Sequence, residues 1–459
     1  VSVDWKVDSE GNGIVFTEYM PSLEVPKIDL GLRRESDEEK SVKDIALSMK
    51  YLSDLDSTEK ATKIADMASF IDCYGHWIDS LEKESCSLSE RYRGAAKRHI
   101  RQCRESYSRM KFGLDILGKD DVAWKAFTLS NRAMFMQRIH GRFQAEEHYP
   151  DDEKWQDKMA NLDYAAESDL DCRWRPFQLA FLLMSIRSIV DPTCGERDLV
   201  DLIWFPTGGG KTEAYLGLTA FTIFHRRLIN PDNGGTTVMM RYTLRLLTSQ
   251  QFTRAAILIC ACEKIRRDAV SCRTSPYHLG DEEITIGLWI GGDHVPNTNT
   301  KAKDELEKLT DGGSDLKGRK DKHNKFQVLK CPWCGTKMIQ YLKDGKIAGK
   351  WGYRSAKKGF YLCCTQEGCE FEARLPIQII DEELYKKPPT LLFGTVDKFA
   401  MMAWKKDVAS FFGQNGNGSP DLIIQDELHL IAGPLGSMVG IYETAIDYLC
   451  SSKGRRAKI

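Results

Sequence analysis

Phe205-Pro206-Thr207-Gly208-Gly209-Gly210-Lys211-Thr212 closes the apolar run 198–205 and opens the helical pattern 211–228. A buried strand, a glycine-rich turn and a helix in that order form a phosphate-binding loop. The glycines let successive backbone N–H groups curl around phosphate oxygens, and the helix N-terminus adds the positive end of its dipole. Thr207, Gly208, Gly209 and Gly210 line this loop; Lys211 is expected to reach the β- and γ-phosphates of ATP, and the Thr212 hydroxyl to ligate Mg²⁺. Phe205 departs from the generic pattern, which has glycine at that position.

Far downstream, Leu422-Ile423-Ile424-Gln425-Asp426-Glu427-Leu428-His429 reads as an apolar strand ending in adjacent carboxylates. At the carboxyl edge of a sheet, Asp426 suits a Mg²⁺ held through its water shell, and Glu427 suits a general base that polarises an attacking water. An isolated Asp-Glu pair is most often solvated surface. Behind a buried strand and downstream of a phosphate loop, it reads as the acidic half of an ATP site. Runs 236–241, 284–290, 390–394 and 421–425 are further candidate strands among helical patterns. That rhythm predicts an α/β fold, a parallel sheet flanked by helices.

Residues 1–172 read mostly as helices, with apolar positions at three- and four-residue spacing over 43–55, 60–83, 89–117 and 121–143. Arg91, Arg93, Lys97, Arg98, Arg101, Arg104 and Arg109 fall in one of them; such a run is usually a solvated helix face, and the sharper alternative is a DNA-facing helix.

In these motifs the chain resembles a superfamily 2 helicase of the Asp-Glu-x-His kind, whose phosphate loop reads Pro-Thr-Gly-x-Gly-Lys-Thr. The resemblance covers about residues 172–459 and implies a RecA-like sheet. Arg175-Pro176-Phe177-Gln178 resembles the upstream element whose glutamine reads the adenine edge, which makes Gln178 an expected ATP contact. The stretch from Tyr242 to Gln251 resembles motif Ia and Thr395-Val396-Asp397-Lys398-Phe399 resembles motif Ib. Both imply nucleic-acid backbone contacts, from Arg245 and Gln250 and from Thr395 and Lys398. The stretches 205–218, 241–251, 394–400 and 426–436, with Asn131-Arg132-Ala133-Met134 upstream, are most similar to the large-helicase family of the DISARM phage-defence system. That resemblance implies an ATP-dependent DNA helicase or translocase with DNA and a companion defence subunit as partners. An RNA helicase, or an ATP-switched nucleic-acid-binding scaffold or sensor without processive movement, are the alternatives. No second RecA-like domain is legible before Ile459, so the expectation is an N-terminal portion whose isolated form turns ATP over poorly.

Cys331-Pro332-Trp333-Cys334-Gly335 has the look of a zinc knuckle, two thiolates across a tight turn. Cys364 and Cys369 complete a closed four-thiolate Zn²⁺ site, with Cys363 an open alternative to Cys364. Basic residues interleaved with Tyr341, Trp351, Tyr353, Phe360 and Tyr361 suit a single strand of nucleic acid, and equally suit hairpin packing.

The expected organisation is a helical N-terminal domain over 1–171 and a first RecA-like domain over 172–459. An insertion at 293–389 carries a zinc-ribbon-like module at 331–371, with a flexible charged connection over 293–330. A formal net charge of −1 gives no overall basic excess, so any nucleic-acid surface must be local. No run approaches the ~20 apolar residues that cross a bilayer, no secretory leader opens the sequence, and the cysteine usage suits a reducing cytoplasm.

Overall fold

The computed structural model describes residues 3–7, 13–17, 45–55, 57–146, 153–204, 209–242, 245–311, 324–341, 347–357, 359–414, 416–431, 433–451 and 455–459. Residues 1–32 form one unit. In it β1 (Val3–Val7) and β2 (Gly13–Thr17) pair antiparallel, Val3 opposite Thr17, where the helical reading expected no strand. The alternation Val3, Trp5, Val7 has period two, the strand period.

Residues 33–459 form the second unit. Its helical part comprises α1 (Met49–Leu52), α2 (Lys60–Ser87), α3 (Glu90–Lys119), α4 (Asp121–Phe143), α5 (Glu153–Ala160) and α6 (Pro176–Val190). Asp120 starts α4 by accepting hydrogen bonds from the backbone N–H groups of Val122 and Ala123, at 2.8 and 3.1 Å. Most of α4 is buried, because it packs against two later helices of the chain, α7 (Lys211–Ile229) and α8 (Arg245–Ser271). Gly113 lets α3 close on α6: a Cβ there would lie 2.0 Å from the Leu183 carbonyl oxygen. The exposed side chains of Arg91, Arg93, Lys97, Arg98 and Arg101 cover the first turns of α3.

The sheet has five parallel strands: β3 (Val238–Tyr242), β4 (Ile286–Trp289), β9 (Ile377–Gln378), β10 (Leu391–Thr395) and β11 (Leu422–Gln425). Their order is β11-β3-β10-β4-β9, with Val238 level with both Leu391 and Leu422. β3, β4 and β10 are buried at every position, as expected for a parallel sheet covered on both faces. Under it Trp289 packs edge-on against Phe399 and Phe411, alongside Met239, Leu392, Ile423 and Ile446, the last from α11 (Gly433–Cys450). The RecA-like sheet, the helical region and the cysteine-based module that the sequence predicts are all present.

Two expectations need correction. The run 198–205 is not a strand over its described part. Leu199, Val200, Leu202 and Trp204 are exposed, and the backbone bonds of its described part are Leu199 N–H to Glu196 O and Asp201 N–H to Ile459 O, at 3.2 Å each. The place beside β11 is taken by 457–459: Lys458 is the parallel partner of Leu422 and its carbonyl accepts from Ile423 N–H at 2.7 Å. Without a ladder, the run has no strand to join. The charged connection over 293–330 holds a helix, α9 (Asn299–Asp311), whose Asn299 N–H donates to Glu382 Oε2 at 2.8 Å; Glu382 belongs to α10 (Asp381–Lys386).

Candidate functional site

α7 begins at the carboxyl edge of the sheet. Gly210, with φ of +86°, precedes its first residue, and a Cβ there would meet Gln178 Nε2 at 2.7 Å. Gln178 is buried and both ends of its amide are engaged. Oε1 accepts from Arg175 N–H at 2.7 Å, and Nε2 donates to the Gly210 carbonyl at 2.7 Å. Arg175 Nη1 donates to the Gly209 carbonyl at 2.5 Å. Gln178 thus clamps the backbone at the end of the loop. Gly209, Gly210, Lys211 and Thr212 line the cleft here; Thr207 and Gly208 lie outside the described residues.

Thr212 and Asp426 are brought together through Tyr215, a residue that the motifs do not name. Its hydroxyl is 2.9 Å from Asp426 Oδ2, 3.2 Å from Thr212 Oγ1 and 3.3 Å from the Tyr242 hydroxyl. Its single proton goes best to the carboxylate, which cannot donate one. Burial pushes the Tyr215 phenol well above its ordinary pKa, so it remains a donor. Thr212 Oγ1 also meets Gln251 Oε1 at 3.2 Å, whereas its neighbour Gln250 is exposed. Asp426 Oδ1 accepts from Glu427 N–H at 2.9 Å, and Glu427 Oε2 is 3.3 Å from His429 Nδ1. Glu427 has φ of +49°, a turn that carries its carboxylate to the same cleft as Asp426.

The cleft measures about 370 Å³ and is lined mostly by charged and polar residues. Arg138, Arg173, Arg175, Lys211 and Arg254 line it, against Glu213, Asp426 and Glu427. The arrangement can hold an anion at the opening of α7 and a divalent cation between Thr212 and Asp426. Tyr215 was findable, since it stands three residues after Thr212 on one helix face. Arg138 was not, because nothing local ties a helix over 121–143 to residue 211.

Arg245 opens α8, and Gln250 is exposed one turn later. Thr395 and Lys398 are buried, and Lys398 Nζ donates to Asp381 Oδ2 at 2.8 Å under the sheet.

The four thiol sulfurs of Cys331, Cys334, Cys364 and Cys369 lie within 4.8 Å of one another, and Cys363 is outside the group. Zinc–thiolate bonds of about 2.3 Å place tetrahedral sulfurs ~3.8 Å apart, so the set fits Zn²⁺. The knuckle closes by Gly335 N–H to Cys331 O at 2.9 Å, with Gly335 at φ of +77°. The knuckle rests on α4. The His140 ring stacks on Trp333 at 3.5 Å, its Nδ1 is 2.7 Å from the Trp333 carbonyl, and Gln144 Nε2 donates to the Cys331 carbonyl at 2.8 Å. Burial pulls His140 down to about 4, so the ring is neutral near pH 7. β7 (Tyr353–Ala356) and β8 (Gly359–Leu362) pair beside the thiols, with Tyr353 and Phe360 buried against Phe326; those two aromatics serve packing.

A five-stranded parallel sheet whose strand ends gather a helix-opening Lys-Thr pair opposite adjacent carboxylates defines a RecA-like α/β protein, here with a four-cysteine module inserted between β4 and β9. No family model matches the chain. It is similar to the DISARM protein DrmA of Bacillus paralicheniformis, at 32% identity over 496 aligned residues that span 98% of this chain. The chain spans about two-fifths (41%) of the length of that relative. No described helix is long and apolar enough to cross a membrane.

Proposed function

We propose that the chain is the N-terminal, nucleotide-binding portion of an ATP-dependent DNA helicase or translocase that acts in antiphage defence. The observation that carries this reading is the bridge from Thr212 through Tyr215 to Asp426, with Lys211 and Glu427 lining the same cleft. The similarity to DrmA over 98% of the chain supports the defence setting. In this reading Lys211 neutralises phosphate oxygens, while Thr212 Oγ1 and Asp426 hold Mg²⁺. Glu427, backed by His429, takes the proton of the attacking water. Bound ATP and Mg²⁺ supply the phosphoryl group and its charge neutralisation.

The test is ATP turnover by the full-length protein with single-stranded DNA, duplex DNA and RNA, alongside Lys211→Ala. Lys211→Ala is expected to abolish turnover, and DNA to stimulate the unaltered protein. Retained turnover in Lys211→Ala sinks the site assignment, and stimulation by RNA alone selects an RNA motor. A second reading, an ATP-switched scaffold without processive movement, is favoured by the burial of Thr395 and Lys398. It gains if no polymer stimulates hydrolysis.

A further inference from the structure

Two arginines meet Glu213 in the cleft, and neither belongs to the phosphate loop. Arg138 comes from α4 in the helical region and Arg254 from α8. Arg254 Nη2 is in direct contact with Glu213 Oε1, and Arg138 Nη1 lies 3.9 Å from the same oxygen. Glu213 follows Thr212 on α7 and is buried. One buried carboxylate therefore serves two guanidiniums. With Arg173, Arg175 and Lys211, the cleft lining holds five cations against three carboxylates, and Asp169 outside the lining pairs with Arg173 at 3.4 Å. Surplus positive charge in a partly desolvated cleft is unfavourable until an anion balances it. Burial, and then the nearby Arg138, lower the pKa of the Arg254 guanidinium.

We infer that Arg138 and Arg254 form a cationic wall for the terminal phosphates of a nucleoside triphosphate, with Glu213 as the counter-ion that the phosphate displaces. The inference rests on the nucleotide reading of the cleft. A terminal phosphate offers both guanidiniums stronger, bidentate acceptors than one shared carboxylate oxygen. A diphosphate lacks those oxygens, so the pair selects triphosphate over diphosphate. The wall is built in cis, and one of its two members is carried by a helix whose last turn holds the cysteine knuckle.

Calorimetric titration of the full chain with a non-hydrolysable ATP analogue and with ADP, both with Mg²⁺, tests this. Arg138→Ala and Arg254→Ala each lower analogue affinity about tenfold, equal to ~1.4 kcal/mol, and leave ADP affinity within about twofold. Glu213→Gln keeps the shape, removes the competitor, and leaves analogue affinity unchanged or higher. Arg254→Lys retains part of the analogue affinity lost in Arg254→Ala, which separates charge from folding. Equal losses for analogue and ADP, no loss in either arginine variant, or weakened analogue binding in Glu213→Gln overturn the wall. Absence of nucleotide binding by the unaltered chain, or binding indifferent to Lys211→Ala, overturns the nucleotide reading itself.

Discussion

The Tyr215 hydroxyl stands 2.9 Å from Asp426 Oδ2 and so ties the first turn of α7 to the tip of β11. Tyr215→Phe keeps the packing and leaves Asp426 without that donor. The expected cost is about 1–2 kcal/mol of folding stability, read by urea denaturation. Within the proposed function, the Mg²⁺ concentration giving half-maximal ATP turnover rises as well. An unchanged Mg²⁺ requirement would show that Tyr215 does not position Asp426.

Metal content separates the neighbouring cysteines. Cys331→Ser and Cys364→Ser are expected to lose bound zinc, measured by mass spectrometry of purified protein, because each removes one of four converging thiols. Cys363→Ser retains it. Chelation of the unaltered chain is expected to increase hydrogen exchange in the last turns of α4, where His140 and Gln144 hold the knuckle.

Lys398→Ala is expected to act on stability. It leaves Asp381 buried without its 2.8 Å partner, and the loss is about 3 kcal/mol in chemical denaturation. Burial already raises the Asp381 carboxyl above its ordinary pKa. DNA affinity of the folded fraction stays unchanged; a selective loss of DNA binding would instead make Lys398 a contact.

Gln178→Ala removes the clamp between Arg175 N–H and the Gly210 carbonyl. Affinity for ATP and GTP is expected to fall together, with their ratio held within about twofold, since the amide is engaged by the backbone. Competition binding of the two nucleotides measures this. A shift toward GTP would restore Gln178 as a reader of adenine.

Acid stability reports on the segment leading into the loop. Arg109 Nη1 and Nη2 reach the two oxygens of Asp201 at 2.7 Å each, and Lys458 Nζ is 3.0 Å from Oδ2. Burial by itself would raise the Asp201 carboxyl, but Arg109 and Lys458 hold it below its ordinary value of 3.8. The folded pKa lies under the unfolded one. The stabilisation is therefore complete above pH 3.8 and lost as pH falls through the lower folded value. Asp201→Asn should flatten that acid limb in a pH series of thermal melts, and Arg109→Ala should cost about 3 kcal/mol at neutral pH.

The sequence by itself determined the parallel sheet, the helix at Lys211, the carboxylates at the end of β11 and the four cysteines, with Cys364 preferred over Cys363. Those features are local: apolar runs of strand length, a glycine turn before a helix and short cysteine spacings each constrain the backbone within a few residues. Tertiary structure decided the rest. It put Arg138 and Arg254 at Glu213, Tyr215 between Thr212 and Asp426, His140 against Trp333, and Lys398 under the sheet. It also gave the place beside β11 to 457–459, leaving 199–204 without a ladder. Contacts between residues on separate elements depend on which helix covers which strand, and a local pattern carries no record of that. The helix opening at Lys211 was therefore legible in advance, but the two arginines that meet Glu213 beside it were not.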